Sequence, residues 1–193
     1  MLSSEHIPLW LTLAYGLTVS VIAVVYWRSY GPANFLWLSD VALGFTFAAL
    51  LTGDQLIASM PAVGVLALEL AWTADFLAGG RIIGLAAYMF DPKLPLYLRA
   101  LSLFHLALPP TLVFLLYRLG YDRRALIYQT LLTWVILVVC YAATGREQNI
   151  NWVFGPGSKP QRVLPPLLYL ALEMAILPLF VFLPTHLILE RLF

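Results

Sequence analysis

Asp40, Glu69, His105 and Glu173 each interrupt a long apolar run. A charged group carried into hydrocarbon costs about 3 kcal/mol or more unless a partner, a proton or water accompanies it, so such residues mark function by default. Histidine titrates nearest neutrality, which makes His105 the candidate general base or acid. Asp40 is its candidate partner, either orienting the imidazole or attacking as a nucleophile. That pairing suits hydrolysis or acyl transfer on a lipid. Asp40, His105 and one or both glutamates also make an N/O donor set suited to Zn, Mn or Fe, but no contiguous signature such as H-E-x-x-H is present. No cofactor is therefore expected, with a divalent metal as the lesser possibility. The blander reading is that the buried charges fix helix packing in a small transporter or binding scaffold.

The solvent that these residues must meet follows from composition. Of 193 residues, 62% are hydrophobic and 11% charged, and the mean hydropathy is +0.87. Soluble domains carry about 25% charged residues. Lipid must therefore solvate much of the chain. The apolar runs are too long and continuous for the alternating strands of about ten residues that build a membrane β-barrel. A net charge of +1 gives no argument for nucleic acid, and the single cysteine, Cys140, excludes an internal disulfide or a Cys-rich metal site. The leader over 1–6 lacks Lys and Arg, so the first apolar run is expected to be a membrane helix rather than a signal peptide.

Punctuation by Gly, Pro and charge divides the chain into six segments, expected to span as helices over 8–27, 34–51, 55–76, 96–119, 125–144 and 166–189. Asn34 is the expected N-cap of the second. There Gly44, one turn beyond Asp40, is expected to admit a close helix neighbour. Asp75 is expected to turn away from Glu69, Trp72 and Thr73 toward the headgroups. The apolar piece near 82–90 is too short to span and reads as interfacial or re-entrant. In the fourth segment Pro109 and Pro110 cannot serve the carbonyls of His105 and Leu106, so a bend is expected just after the histidine. The fold class is thus all-α: a polytopic transmembrane bundle of about six spanning helices, forming one integral membrane domain over 1–193.

Alternation across the bilayer then places Asp40, Glu69, His105, Tyr141 and Glu173 in one leaflet. The long loop over 145–165, with Asn151 and Trp152, is expected to close that end. Asp40 and His105 are the candidate catalytic residues; Glu69, Trp72, Tyr141, Asn151, Trp152 and Glu173 are the candidate pocket. His186 and Glu190, at the other end, are explained by an ordinary i,i+4 pair. With the N-terminus outside, six basic residues face the cytoplasm and four face out, the orientation that the positive-inside rule favours. The natural partners are membrane lipids, including a lipid-like substrate; oligomeric state is left open.

The order of features is similar to that of bacterial six-helix integral membrane proteins related to androgen-induced-type lipid hydrolases and TMEM-type acyltransferase-like proteins. The likeness rests on Leu36-Trp-Leu-Ser-Asp40-Val-Ala, Glu69-Leu-Ala-Trp72, Leu103-Phe-His105 and Asn149-Ile-Asn-Trp-Val-Phe154 ahead of a proline-led last helix. It implies action on lipid esters through a Thr or Cys on an early helix and a His on a later one. The histidine would be His105. Near the nucleophile position this chain has Asp40 with Ser39 beside it, and a carboxylate is a poor acyl-transfer nucleophile. A bacterial cytoplasmic membrane is the expected location.

Overall fold

The computed structural model describes residues 7–157 and 159–193. The described residues form an all-helical bundle: α1 (Leu9–Tyr30), α2 (Leu38–Thr52), α3 (Gln55–Leu77), α4 (Leu96–Leu101), α5 (Phe104–Leu119), α6 (Ala125–Ala143), α7 (Pro166–Ile176) and α8 (Leu183–Leu192). α4 with α5 makes one span, and α7 with α8 makes another across a π-helical stretch, Leu177–Phe182. Five spans are long and apolar enough to cross a membrane. The sixth, α2, has 15 residues, about 22 Å at about 1.5 Å per residue. It falls short of the roughly 30 Å hydrocarbon layer, and the 3₁₀ turn Pro32–Leu36 precedes it.

α3 is the central element, packed on α2, α5, α6 and α8. Its middle explains why. Ala58, Ser59, Ala62, Val63, Gly64 and Val65 are all buried, and small side chains let neighbouring helices approach. A Cβ at Gly64 would collide with the Gln129 amide of α6. Lipid solvates the outer faces: Leu13, Leu17, Val135, Leu167 and Phe180 are exposed on their helices.

Irregular backbone marks where the expected segments and the structure differ. α2 begins at Leu38 rather than Asn34, because Gly31, at φ +80°, and Pro32 start a tight turn and Trp37 is extended. Asn34 caps nothing; its side chain donates to Asp40 Oδ2 at 3.4 Å. The break in the fourth span falls at Ser102–Leu103, ahead of His105, and α5 runs unbroken through both prolines. The amides of Leu103, His105 and Leu106 bond three residues back, to Ala100, Ser102 and Leu103. Ser102 Oγ is tied there by Tyr26 Oη at 2.9 Å and donates to the Leu98 carbonyl. In the last span, Pro178 cannot donate to the Met174 carbonyl. Trp134 Nε1 of α6 donates to it instead, at 2.8 Å, a substitution of the kind hydrocarbon demands.

The 82–90 piece does not span. It folds over the end of α3 and closes with the 3₁₀ turn Ala87–Phe90. Asp75 organises it. Far from reaching for headgroups, Asp75 is fully buried; Oδ1 accepts the amides of Ile82 and Ile83, and Oδ2 that of Ala86, at 2.8–2.9 Å. Phe76 and Tyr88 pack beside Trp72, Ala86 and Met89 around this clamp. At the opposite end, Asp122 grips Arg124 with a 2.7 Å contact. Tyr121 Oη meets His186 Nδ1 at 2.6 Å, and Glu190 joins Arg123 at 2.7 Å and His186 at 3.7 Å. The i,i+4 pair is there, within a larger network that ties α8 to the α5–α6 turn.

Two outcomes follow. Asp75→Ala strands three amides, that of Ala86 fully buried, and should lower stability by about 2 kcal/mol, read as thermal unfolding in micelles; Asp75→Asn, with one acceptor oxygen in place of two, should recover only part. Hydrogen bonds from the Arg124 side chain hold the Asp122 carboxyl below its usual range. A depressed carboxyl contributes stability above its unfolded pKa of about 3.9 and loses it as pH falls through the lower folded value. The difference in unfolding temperature between wild type and Asp122→Asn should therefore persist at neutral pH and vanish in strong acid.

Candidate functional site

The loop end of the bundle holds a Glu–His pair between two spans. Glu69 lies two turns before the end of α3, and His105 is the second residue of α5. The Ser102–Leu103 break turns the imidazole toward α3. His105 Nδ1 and Glu69 Oε2 are 2.7 Å apart, with side chains 12% and 4% exposed. The first-turn amides of α5 lack carbonyls of their own helix, and the positive end of the helix dipole favours a carboxylate nearby. Trp72, one turn beyond Glu69, stacks on the imidazole with centroids 4.5 Å apart and planes 20° apart. Phe76 also stacks on Trp72, with ring centroids 5.3 Å apart. With Nδ1–H donated to the carboxylate, the ring exposes the Nε2 lone pair, and no described residue bonds to that nitrogen.

Asp40 sits in the first turn of α2, where the helix dipole also favours a carboxylate. Among the described residues it makes no hydrogen bond to His105; its one bond is the long one from Asn34, and Oδ1 is buried without a partner. Glu69 lies within electrostatic range, as do the hydroxyls of Tyr26, Tyr30 and Tyr88. Burial pushes the Tyr88 phenol up to about 12, while nearby Ser102 and Trp72 pull the other way, so it is a neutral donor at physiological pH. Asp40 also lines an open groove of about 520 Å³ with Val41, Gly44, Phe45, Ala48 and Ile57. No helix packs against Gly44, contrary to expectation: a Cβ there would meet nothing within 4 Å. α2 turns this side to the groove and buries Ala42, Leu43, Thr46, Ala49 and Leu50 in the bundle, where it packs on α3, α1 and α5.

The long loop is folded onto this end. Asn149 Nδ2 donates to the carbonyls of Gly155 and Gly157, and its Oδ1 accepts the Phe154 amide. Asn151 reaches α2, accepting the Leu38 amide at 2.9 Å and donating to the Leu36 carbonyl at 2.7 Å. Tyr141 packs on Phe154 of the loop with ring centroids 5.1 Å apart. Trp152 is half-buried, at φ +65°. Glu173 stands apart from the Glu69–His105 pair, on α7, with Tyr169 and Cys140 in electrostatic range and Oε2 buried and unpartnered. Among the described residues, no three His, Cys, Asp or Glu side chains gather to hold a metal ion.

Glu69 thus takes the orienting position that sequence reasoning offered to Asp40. Tyr26, Ser102 and Tyr88 belong to the same polar end and were not singled out. Ser102 carried one usable signal, lying one turn before His105. Among the described residues, Asp40 Oδ1, Trp72 Nε1 and Arg99 Nε, and Glu173 Oε2 apart from them, are buried without a hydrogen-bond partner. Each such atom costs about 1–3 kcal/mol; the Tyr15 hydroxyl of α1 is another, away from this end. Set against known proteins, the chain matches no family model, no curated sequence and no solved structure.

The tautomer is directly measurable. By ¹⁵N NMR in micelles, the neutral His105 ring should carry its proton on Nδ1 and show Nε2 unprotonated. Glu69→Leu should abolish that preference, because the tautomer is set by the partner of the other nitrogen.

Proposed function

We propose that this multi-pass membrane protein is an intramembrane enzyme of the lipid-hydrolase or acyl-transfer type, working on an ester at the loop end of the bundle. The observation that carries the reading is the buried Glu69–His105 pair, 2.7 Å apart, with Nε2 left free. His105 Nε2 takes a proton from water or an acceptor hydroxyl as that oxygen attacks the ester carbonyl. Glu69 holds the ring and stabilises the imidazolium that forms. The tetrahedral oxyanion collapses, the C–O bond breaks, and the imidazolium returns its proton to the departing alkoxide. Trp72 Nε1–H, buried beside the Tyr88 hydroxyl, turns to supply a hydrogen bond to the oxyanion. Asp40 accepts from a polar group of the substrate at the head of the open groove rather than attacking it, since a carboxylate is a weak acyl nucleophile. The likeness to lipid hydrolases and acyltransferase-like proteins points the same way.

The positive-inside rule supports an orientation with the N-terminus outside a bacterial cytoplasmic membrane. Arg28, Arg81, Lys93, Arg146, Lys159 and Arg162 then lie on the cytoplasmic side with the site. Purified wild type should turn over members of a fluorogenic lipid-ester panel in micelles. His105→Ala and Glu69→Ala should each lower kcat by about 10²–10⁴-fold, and Asp40→Asn should chiefly raise KM. A wild type inert toward every ester would overturn the enzyme and leave the transporter or scaffold reading.

A further inference from the structure

Asn151 lies far from Asp40 in sequence and is joined to the start of its helix. α2 has no local cap: Trp37 occupies the capping position and has no side-chain acceptor to offer. The first amides of a helix find no carbonyl within it, and in α2 Val41 is the first whose amide reaches one, that of Trp37. The Leu38 amide is met from outside, by Asn151 Oδ1 at 2.9 Å. The Asn151 Nδ2 donates to the Leu36 carbonyl at 2.7 Å and lies 3.4 Å from Cys140 Sγ at the end of α6. One side-chain amide thus bridges the two sides of Trp37, where the 3₁₀ turn gives way to α2. The loop backbone is bent to deliver it. Asn149, Asn151 and Trp152 have φ of +42°, +53° and +65°, a conformation that non-glycine residues rarely hold, Asn more readily than most.

We propose that Asn151 is a positioning residue: an N-cap supplied by the long loop to α2, which fixes the first turn of that helix and therefore the place of the Asp40 carboxylate at the head of the groove. The loop then does more than cover the site, because its docking and the placement of Asp40 are one event. The catalytic consequence rests on the proposed lipid chemistry; the coupling itself does not, and it can be read without any substrate.

The probe is dicyclohexylcarbodiimide, an apolar reagent for carboxyl groups in membrane surroundings, with adducts on Asp40 and Glu173 counted by peptide mass in the full-length protein in micelles. Asn151→Ala should raise the rate at Asp40 by roughly fivefold, the factor set by losing a typical cap, and leave Glu173 unchanged. Asn151→Asp, which keeps an acceptor for the Leu38 amide and tolerates the positive φ, should bring Asp40 back to within about twofold of wild type. Lys159→Ala, an exposed change in the same loop, should do nothing. A merely structural role would raise Asp40 and Glu173 together; that result, or an unchanged Asp40 in Asn151→Ala, overturns the proposal. Failure of Asn151→Asp to restore the rate overturns the capping role. Hydrogen exchange on the wild type needs no variant: the Leu38 amide should be protected well beyond that of Ser39, and equal exchange of the two would count against the cap. If labelling follows the proposal while no ester is turned over, the positioning role stands and the chemistry falls.

Discussion

The contact between Glu69 and His105 joins the central helix to the span that breaks beside it, and most of the irregular structure at that end serves this contact. Neither group belongs in hydrocarbon alone. Together they form a charge-assisted or neutral hydrogen bond of 2.7 Å, walled by Trp72 and Phe104. The histidine reaches the carboxylate because the fourth span stops at Ser102 and restarts. The stop persists because Tyr26 on α1 holds Ser102 Oγ. Three spans are therefore locked around one ion-pairing site, and shifting any of them alone would leave a buried polar atom exposed to acyl chains.

The same rule explains how the bundle tolerates its prolines and its re-entrant piece. Hydrocarbon offers no hydrogen bonds, so a carbonyl or amide freed from a helix needs a protein partner. Trp134 supplies one to the Met174 carbonyl that Pro178 abandons. Asp75 supplies three to the amides of a segment that is neither helix nor strand. Asn151 supplies one donor and one acceptor at the mouth of α2. In each case a side chain on a regular helix or a folded loop completes irregular backbone nearby. Asp75 acts within its own stretch of chain, but the Trp134 and Asn151 pairs join distant segments, so those breaks become tolerable only once the bundle has folded.

The class of fold was legible because it depends on summed properties. Apolar runs of about twenty residues can only be membrane helices, and Gly-Pro, Gly-Gly and Asp-Pro punctuation located the ends to within a few residues. Alternation was enough to send Asp40, Glu69, His105 and Glu173 to one end. Which of them bond was not legible, because that depends on how each helix is rotated about its axis. Here lipid faces and buried faces are equally apolar, so no hydrophobic stripe reports the rotation. The same blindness hid the orientation of Gly44, which faces an open groove, and the burial of Asp75. Asn34 was misread for a different reason. It has a fitting residue type ahead of an apolar run, but Gly31-Pro32 spends that stretch on a 3₁₀ turn. The true cap came from the other side of the chain, beyond the reach of any local motif.

The two ends of the bundle differ in how their charged groups are met. At the α5–α6 turn the charged groups are paired among themselves: Asp122 with Arg124, Glu190 with Arg123 and His186, His186 with Tyr121. Networks completed in this way hold helices together and leave little for a ligand to bind. At the loop end Asp40, Trp72 and Arg99 each bury a polar atom with no partner among the described residues, as does Glu173 apart from them, and no described residue bonds to His105 Nε2. Were stability the only requirement, apolar replacements at those positions would serve better, since an unmet polar atom costs more than it returns. The buried polar atoms around the Glu69–His105 pair are therefore ones that packing alone does not require. The loop over that end, with three non-glycine residues at positive φ, is tied to α2 through the Asn151 side chain.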